Sequence, residues 1–248
     1  MTRSPRAVSF VQLTAFAMAF AISTVAAAQA PPTAERILVP ISVGRQPGAY
    51  GSLWSTELWH RNNSDQPVNV SPLAISDAVY PTHRTVFLPI GVGHPGLLLF
   101  MHPGGSDAVQ FDLRLFNDND PQSSWGTKIP VVREREFVHE VSLINVPTSA
   151  DYRTALRIYG LPEGSVSGDP IHVDIYGIDE RLLASTVLPF EGVPRYAAVL
   201  SLADAFPEIR RVPRVNVRIT SPRPGDKIWA FVSVTANATQ YVTLVTPN

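Results

Sequence analysis

The chain has 248 residues, with 20 basic and 21 acidic side chains, a formal charge of −1 and no cysteine. This balance lacks the basic excess of a nucleic-acid-binding protein. The absence of cysteine excludes disulfides, thiolate metal sites, a cysteine nucleophile and the lipid-bearing cysteine of a lipoprotein. The hydrophobic core alone must therefore hold the fold together.

The N-terminal segment has the composition of a secretory signal peptide. Arg3 and Arg6 precede the uncharged run Val8–Ala28, which ends in small residues suited to a signal peptidase. We therefore expect the signal peptide, residues 1–28, to be removed, leaving a mature chain that starts at Gln29 and has no membrane span. A retained N-terminal anchor is the alternative. Removal predicts a protein that is secreted or periplasmic, and the cysteine-free chain favours a bacterial source.

Beyond this segment the sequence predicts many strands and almost no helix. Strict alternation of apolar and polar residues, typical of a strand with one solvated face, marks residues 109–115, 171–176 and 214–219. The 23 prolines favour strand edges and loops over helix interiors. In chain order, the predicted strands are 37–43, 54–61, 84–88, 97–101, 109–115, 137–144, 154–159, 171–176, 182–188, 214–219, 228–235 and 241–246, with one helical turn at 201–206.

Clusters of Gly, Pro, Asn and Asp separate these segments at roughly ten-residue intervals, as in β-sandwiches. The sequence therefore predicts an all-β protein with two tandem antiparallel β-sandwich, Ig-like, domains at residues 29–134 and 135–248. The join at 132–136 has neither glycine nor proline, which predicts a short stiff connection. We expect the two domains to touch through aromatic surface, with Trp59 or Trp125 as the anchor.

Two pairs of segments suggest an internal duplication. Trp54–Asn62 can be laid over Phe137–Asn145, and Phe111–Asn119 over Trp229–Asn237. Strand alternation also produces such matches by chance, because any two period-two patterns align easily. The duplication is the favoured interpretation of the two.

A family resemblance rests on the start and the end of the predicted mature chain. A Gly-rich loop followed by Trp54-x-Thr56-x-Leu58, and an alternating strand that runs into Asn237 and Thr239, resemble the Ig-like or fibronectin-like sandwich modules of uncharacterised exported bacterial proteins. The resemblance implies export and a β-sandwich, and it supplies no catalytic residues. The Cys-Trp-Cys signature of antibody domains is absent, so only the architecture is implied.

The sequence contains no recognisable catalytic or cofactor motif. Gly164–Gly168 approaches a nucleophile elbow but has Val166 where the nucleophile belongs. Asn117–Asp120 offers oxygen ligands for calcium, yet it lacks the required glycine and distant glutamate and is interpreted as a hairpin turn. The histidines lack partners at metal-ligand spacing and are interpreted as surface or loop residues; they are His60, His83, His94, His102, His139 and His172. We predict no catalytic residue, metal or cofactor.

Candidate binding residues come from the polar sides of the predicted strands. Alternation places Trp59 on the more solvated side of its strand, and several polar and aromatic residues of the second domain would form one face if their strands share a sheet. That face could bind an acidic glycan or a protein, and an ordinary solvated sheet face is the alternative. The candidates are Trp59, Arg157, Tyr159, His172, Asp174, Tyr176 and Arg218.

These observations favour an exported non-catalytic protein for adhesion, scaffolding or binding at the cell surface or in the periplasm. Its partner would be an unknown protein or glycan, and not a nucleic acid. A carbohydrate-binding module is the alternative, which needs Trp59 and a neighbouring Trp or Tyr in one plane. A hydrolase whose carboxylates meet only in the fold is the third hypothesis.

Overall fold

The structure is a computed structural model that describes residues 34–72, 78–88, 95–101, 105–120, 125–161, 169–221 and 223–247. Within these ranges it has one short helix, α1 (Leu202–Ala205), which agrees with the helical turn predicted there. The strands are β1 (Glu35–Val39), β2 (Gln46–Pro47), β3 (Leu53–Asn62), β4 (Val68–Pro72), β5 (Ala78–Tyr80), β6 (Thr85–Leu88), β7 (Leu97–Met101), β8 (Val109–Asn117), β9 (Thr127–Ile129), β10 (Val132–Arg133), β11 (Glu140–Pro147), β12 (Tyr152–Gly160), β13 (Ile171–Gly177), β14 (Leu182–Leu188), β15 (Arg195–Val199), β16 (Arg214–Thr220), β17 (Ile228–Ala236) and β18 (Val242–Val245).

The strands form four antiparallel sheets, and each sheet is confined to one half of the chain. The first half, residues 34–133, contains the sheets β10-β1-β7-β4-β5 and β2-β3-β8-β9, with β6 also paired to β3. The second half, residues 137–247, contains the sheets β11-β16-β13-β14 and β15-β12-β17-β18. The predicted all-β fold class is confirmed.

Each half builds a hydrophobic core from residues on both of its sheets. In the second half, Ile171, Val173 and Ile175 of β13 are fully buried and belong to the same core as Leu156 and Ile158 of β12. The alternating polar residues of β13 point away from that core, as a period of two requires. Each half is therefore sandwich-like.

The strand order repeats between the halves, but the segments matched in the sequence are out of register. The order β1-β7-β4-β5 recurs as β11-β16-β13-β14, and β6-β3-β8-β9 recurs as β15-β12-β17-β18. The counterpart of β3 is thus β12, and Trp54-x-Thr56-x-Leu58 corresponds to the motif that starts at Tyr152. The match of Trp54–Asn62 with Phe137–Asn145 is wrong, because the latter segment overlaps β11 in the other sheet.

The sheet β15-β12-β17-β18 is buried on both sides and joins the two halves. Leu156 and Val232 face the core of the second half, whereas Tyr159, Trp229 and Phe231 belong to the core of the first half. Such burial on two faces explains why Ile228–Val232 is a continuous apolar run without alternation. The predicted aromatic contact between the halves is confirmed.

The predicted anchors of this contact are wrong. The Trp59 side chain is 39% exposed and that of Trp125 is 75% exposed, and neither belongs to the shared core. The central residue is Tyr159, whose ring lies 5.3 Å from that of Tyr196 and is stacked on Phe231 at 6.4 Å. Its hydroxyl donates to the carbonyls of the first half, being bonded to Pro40 O and lying 2.8 Å from Pro95 O.

The segment predicted to be a stiff connection is pinned to the first half. Arg36 of β1 holds the Glu134 carboxylate through its backbone N–H at 3.0 Å and its guanidinium at 2.5 Å. Burial alone would raise the pKa of Glu134, but these hydrogen bonds outweigh it and lower the pKa. A 3-10 turn over Glu134–Glu136 is closed by Arg133 N–H donating to Glu136 at 2.6 Å.

Several sequence predictions lie outside the described residues: the signal peptide at 1–28, the segment Gly164–Gly168 that approaches a nucleophile elbow, and the surface or loop positions of His94 and His102. The boundary between residues 134 and 135 and the count of two Ig-like domains stay predictions. In the described part of the chain, no helix has the length and apolar character needed to cross a membrane.

Candidate functional site

The six candidate residues of the second half, which would form one face if their strands shared a sheet, do not share one face. Strand β12 lies in the joining sheet, whereas β13 and β16 are paired in the other sheet of the second half. The single face expected from the sequence is therefore wrong. It separates into an exposed part, on β13 and β16, and a part that faces the first half, on β12.

Arg157 and Tyr159 belong to the part of this surface that faces the first half. Tyr159 is fully buried, which raises the pKa of its phenol well above the usual value. Arg157 donates to Ser233 Oγ at 3.0 Å and lines a crevice between the halves with Trp54. Their expected place on an open face is wrong, because the first half covers that side of β12.

The structure brings His172, Asp174, Tyr176 and Arg218 together on the exposed side of the sheet β11-β16-β13-β14, which we call the outer face. Asp174 is paired with Arg218 across the strands, and the Arg218 guanidinium lies 4.9 Å from the centre of the Tyr176 ring. Such stacking holds a guanidinium in place while leaving its edge free for a ligand.

Hydrogen bonds order the outer face further. Ser185 Oγ donates to Asp174 Oδ1 at 2.5 Å, and Glu140 Oε1 lies 3.7 Å from Arg218 Nε. Ile144 on β11 and Val187 on β14 are exposed on the two edge strands. The outer face thus combines a Tyr–Arg pair with a few apolar side chains, a composition found in protein interfaces.

A second open surface lies on the first half. A groove of about 700 Å³ follows the exposed side of β3, β8 and β9, and its lining includes Trp59, Arg61, Gln110, Asp112, Arg114 and Lys128. We call it the Trp59 groove. The Trp59 ring lies 5.3 Å from that of Phe87 at an angle of 59°, and its Nε1 donates to Glu57 at 3.2 Å.

The cations of the Trp59 groove differ in how far they are already paired. Arg114 donates to Asp112 Oδ2 at 2.9 Å and lies beneath the Trp125 ring at 4.4 Å. Among the described residues, Arg61 is bonded only to the neutral side chains of Asn63 and Thr85. Lys128 has no side-chain partner among the described residues. Positive charge is therefore available in the groove.

His60 is a core residue, contrary to the surface or loop position predicted for the histidines. Its side chain is 3% exposed, stacks on Tyr80 at 3.5 Å, and has no hydrogen-bond partner for either ring nitrogen within the described part of the chain. Burial lowers the pKa of His60 to about 4. The burial of His60 could have been predicted from its position two residues from Leu58 and two from Asn62, because alternate residues of a strand point to the same side.

The acidic loop after β8 is a turn, as predicted. Asn117 Oδ1 accepts from Leu53 N–H at 2.9 Å, and Asp120 N–H donates to the Asn117 carbonyl at 3.0 Å. Across the residues that the structure describes, no group of three or more His, Asp or Glu side chains is arranged to hold a metal ion.

The fold and these two surfaces define a class: an all-β, sandwich-like protein with an open sheet face on each half. Comparison with protein families, curated proteins and solved structures finds no match to this chain. The functional argument therefore depends on the surfaces themselves.

Proposed function

We propose that the protein is an exported, non-catalytic binding protein of two tandem Ig-like sandwiches, acting in adhesion or scaffolding at the cell surface or in the periplasm. The observation that carries the proposal is the joining sheet, which is buried on both sides between the halves. A packed contact of this kind keeps two binding faces at a fixed distance and orientation, which suits a protein that bridges macromolecules.

The outer face is the proposed protein-binding surface. Tyr and Arg are enriched in protein interfaces, and here Tyr176 and Arg218 are stacked at the centre of a sheet. Ile144 and Val187 add apolar surface on either side. A partner would bury this apolar surface and bond to the free edge of the guanidinium.

A binding assay on isolated cell envelopes tests this proposal. The labelled chain from residue 29 to 248 should bind, and Tyr176→Ala and Arg218→Ala should each weaken binding about tenfold, as expected for central interface residues. Tyr241→Ala and Arg211→Ala are matched controls away from the outer face. Unchanged binding by both outer-face variants would remove this face from the proposal.

Export is tested separately by the mass of the protein secreted or released from the periplasm. The signal peptide predicts a chain that begins at Gln29. Recovery of the exported protein with Met1 intact would contradict the proposed processing.

A carbohydrate-binding role is the second candidate, favoured by the exposed ring in the Trp59 groove. The aromatic surface differs from the expected pair of coplanar rings. The neighbour of Trp59 is Phe87 instead of a Trp or Tyr, and the two rings are tilted by 59°. A single ring remains for stacking on a sugar. The glycan-binding measurements described below test this role.

A further inference from the structure

We propose that the Trp59 groove binds an acidic saccharide, a short stretch of a polymer of uronic acid units. This inference rests on the second candidate function and specifies its ligand. It requires an aromatic surface, free positive charge and a groove longer than one sugar, which are considered in turn.

The aromatic surface is held in place before any ligand arrives. Trp59 Nε1 is bonded to Glu57, and Phe87 packs against the ring from the adjacent strand β6. Because the ring is ordered by these contacts while 39% of the side chain stays exposed, little side-chain entropy is lost on stacking. The apolar face of a sugar ring is the natural partner of such an indole.

The charge of the groove selects an anion. One carboxylate, that of Glu57, lies beside the groove and accepts from Trp59 Nε1. The lining itself contains the cations Arg61, Arg114, Lys128 and Arg133 and two carboxylates, Asp107 and Asp112. Both carboxylates are already paired, because Asp107 lies 2.7 Å from Arg135 and Asp112 lies 2.9 Å from Arg114. Arg61 and Lys128, which have no acidic partner in the part of the chain that the structure describes, are thus left to attract the carboxylates of a ligand.

The strand register places these two cations on either side of the ring. Arg61 follows Trp59 by two residues on the same face of β3. Trp59 is paired with Asp112 of β8, and Arg114 of β8 is paired with Lys128 of β9. Lys128 therefore lies two strands away from Trp59 and is displaced along the strands in the direction opposite to Arg61. Strand spacing gives about 12 Å between the Cα atoms of Trp59 and Lys128, a span for several linked sugars. Gln110, paired with Arg61, supplies an amide for hydroxyl groups.

Calorimetric titration of the full mature chain with alginate hexasaccharide, a polyuronate, tests the inference against cellohexaose as the neutral probe. We expect the polyuronate to bind at least tenfold more tightly, with an affinity that falls as salt is added. Trp59→Ala should weaken polyuronate binding at least tenfold. Lys128→Gln and Arg61→Gln should each weaken it about threefold to tenfold and reduce the salt dependence.

The matched controls are Lys227→Gln and Tyr241→Ala, which keep the groove intact and should bind as the parent does. Circular dichroism spectra identical to that of the parent confirm that each variant is folded. Equal affinity for the neutral hexasaccharide would overturn the acidic specificity while supporting the carbohydrate-binding role.

Failure to bind either probe, or binding that Trp59→Ala does not change, would overturn the inference and the second candidate function together. The outer-face proposal is judged by the envelope assay, in which Tyr176→Ala and Arg218→Ala leave the Trp59 groove untouched. The two failures are therefore distinguishable.

Discussion

His60 places a polar side chain in the hydrophobic core, where polar groups are usually hydrogen-bonded. A buried imidazole whose two nitrogens lack partners within the described ranges costs free energy, and protonating it would add an unpaired charge. The aromatic stack on Tyr80 needs only a flat ring. We therefore expect His60→Phe to raise the free energy of unfolding by about 1–2 kcal/mol in urea denaturation at pH 7.

The same substitution should remove an acid sensitivity. The pKa of His60 is about 4 in the folded chain, against 6.5 for the unperturbed side chain. The unfolded state therefore binds the proton first, and stability that is complete above pH 6.5 falls as the pH drops towards 4, by about 3 kcal/mol. Urea midpoints of the parent and His60→Phe should diverge over this range. A parallel pH dependence of the two would contradict the burial of His60.

The hydroxyl of Tyr159 adds hydrogen bonds to the aromatic contact between the halves. Tyr159→Phe leaves the aromatic packing intact but removes the hydrogen bonds to the Pro40 and Pro95 carbonyls. We expect a loss of about 1–2 kcal/mol, because buried acceptors lose their donor. Tyr152→Phe, in the same strand but exposed, is the control and should change the unfolding free energy by less than about 0.5 kcal/mol. A loss no larger than that of the control would show that the hydroxyl bonds do not contribute.

At the scale of elements, the start of β15 depends on a buried ion pair. Arg195 Nη1 lies 2.9 Å from Asp226 Oδ2, and its other nitrogens donate to the carbonyls of Phe190 and Asp169. Arg195→Met should destabilise the fold by about 3–5 kcal/mol, since it leaves a largely buried carboxylate without its cation. Arg210→Met, which breaks an exposed pair with Asp204, should cost less than about 1 kcal/mol. Similar urea midpoints for the two variants would contradict this difference.

Elements with strict alternation were predictable, and those defined by their partners were not. The predicted strand at 171–176 extends by one residue to give β13, and that at 109–115 extends by two residues to give β8. The strands β2 and β10 have two residues each, too few to carry a periodic pattern, and exist because β3 and β1 pair with them. The sequence comparison missed that β12 is the counterpart of β3 because it matched only the alternation of apolar and polar residues. The Thr-x-Leu spacing that β3 and β12 share would have identified the correct pair of segments.

At the scale of the molecule, the sequence did not reveal which sheet faces are covered. Alternation shows that one side of a strand is more polar, but not whether another half of the chain packs on it. Arg157 and Tyr159 were therefore predicted to be exposed, while the true signal lay in the apolar run Ile228–Val232 of the paired strand. Of the residues assigned to one face, His172, Asp174, Tyr176 and Arg218 do lie together, because β13 and β16 are paired in one sheet.

Calorimetric unfolding of the mature chain and of Phe231→Ala most directly tests the claim that the halves share one joint. Phe231 belongs to the second half by sequence and to the core of the first half by packing. The account predicts one cooperative transition for the parent, and for Phe231→Ala a loss of about 3–5 kcal/mol that lowers this transition as a whole. Two transitions, of which the substitution moves only one or neither, would show that the halves unfold independently and would contradict the shared joint.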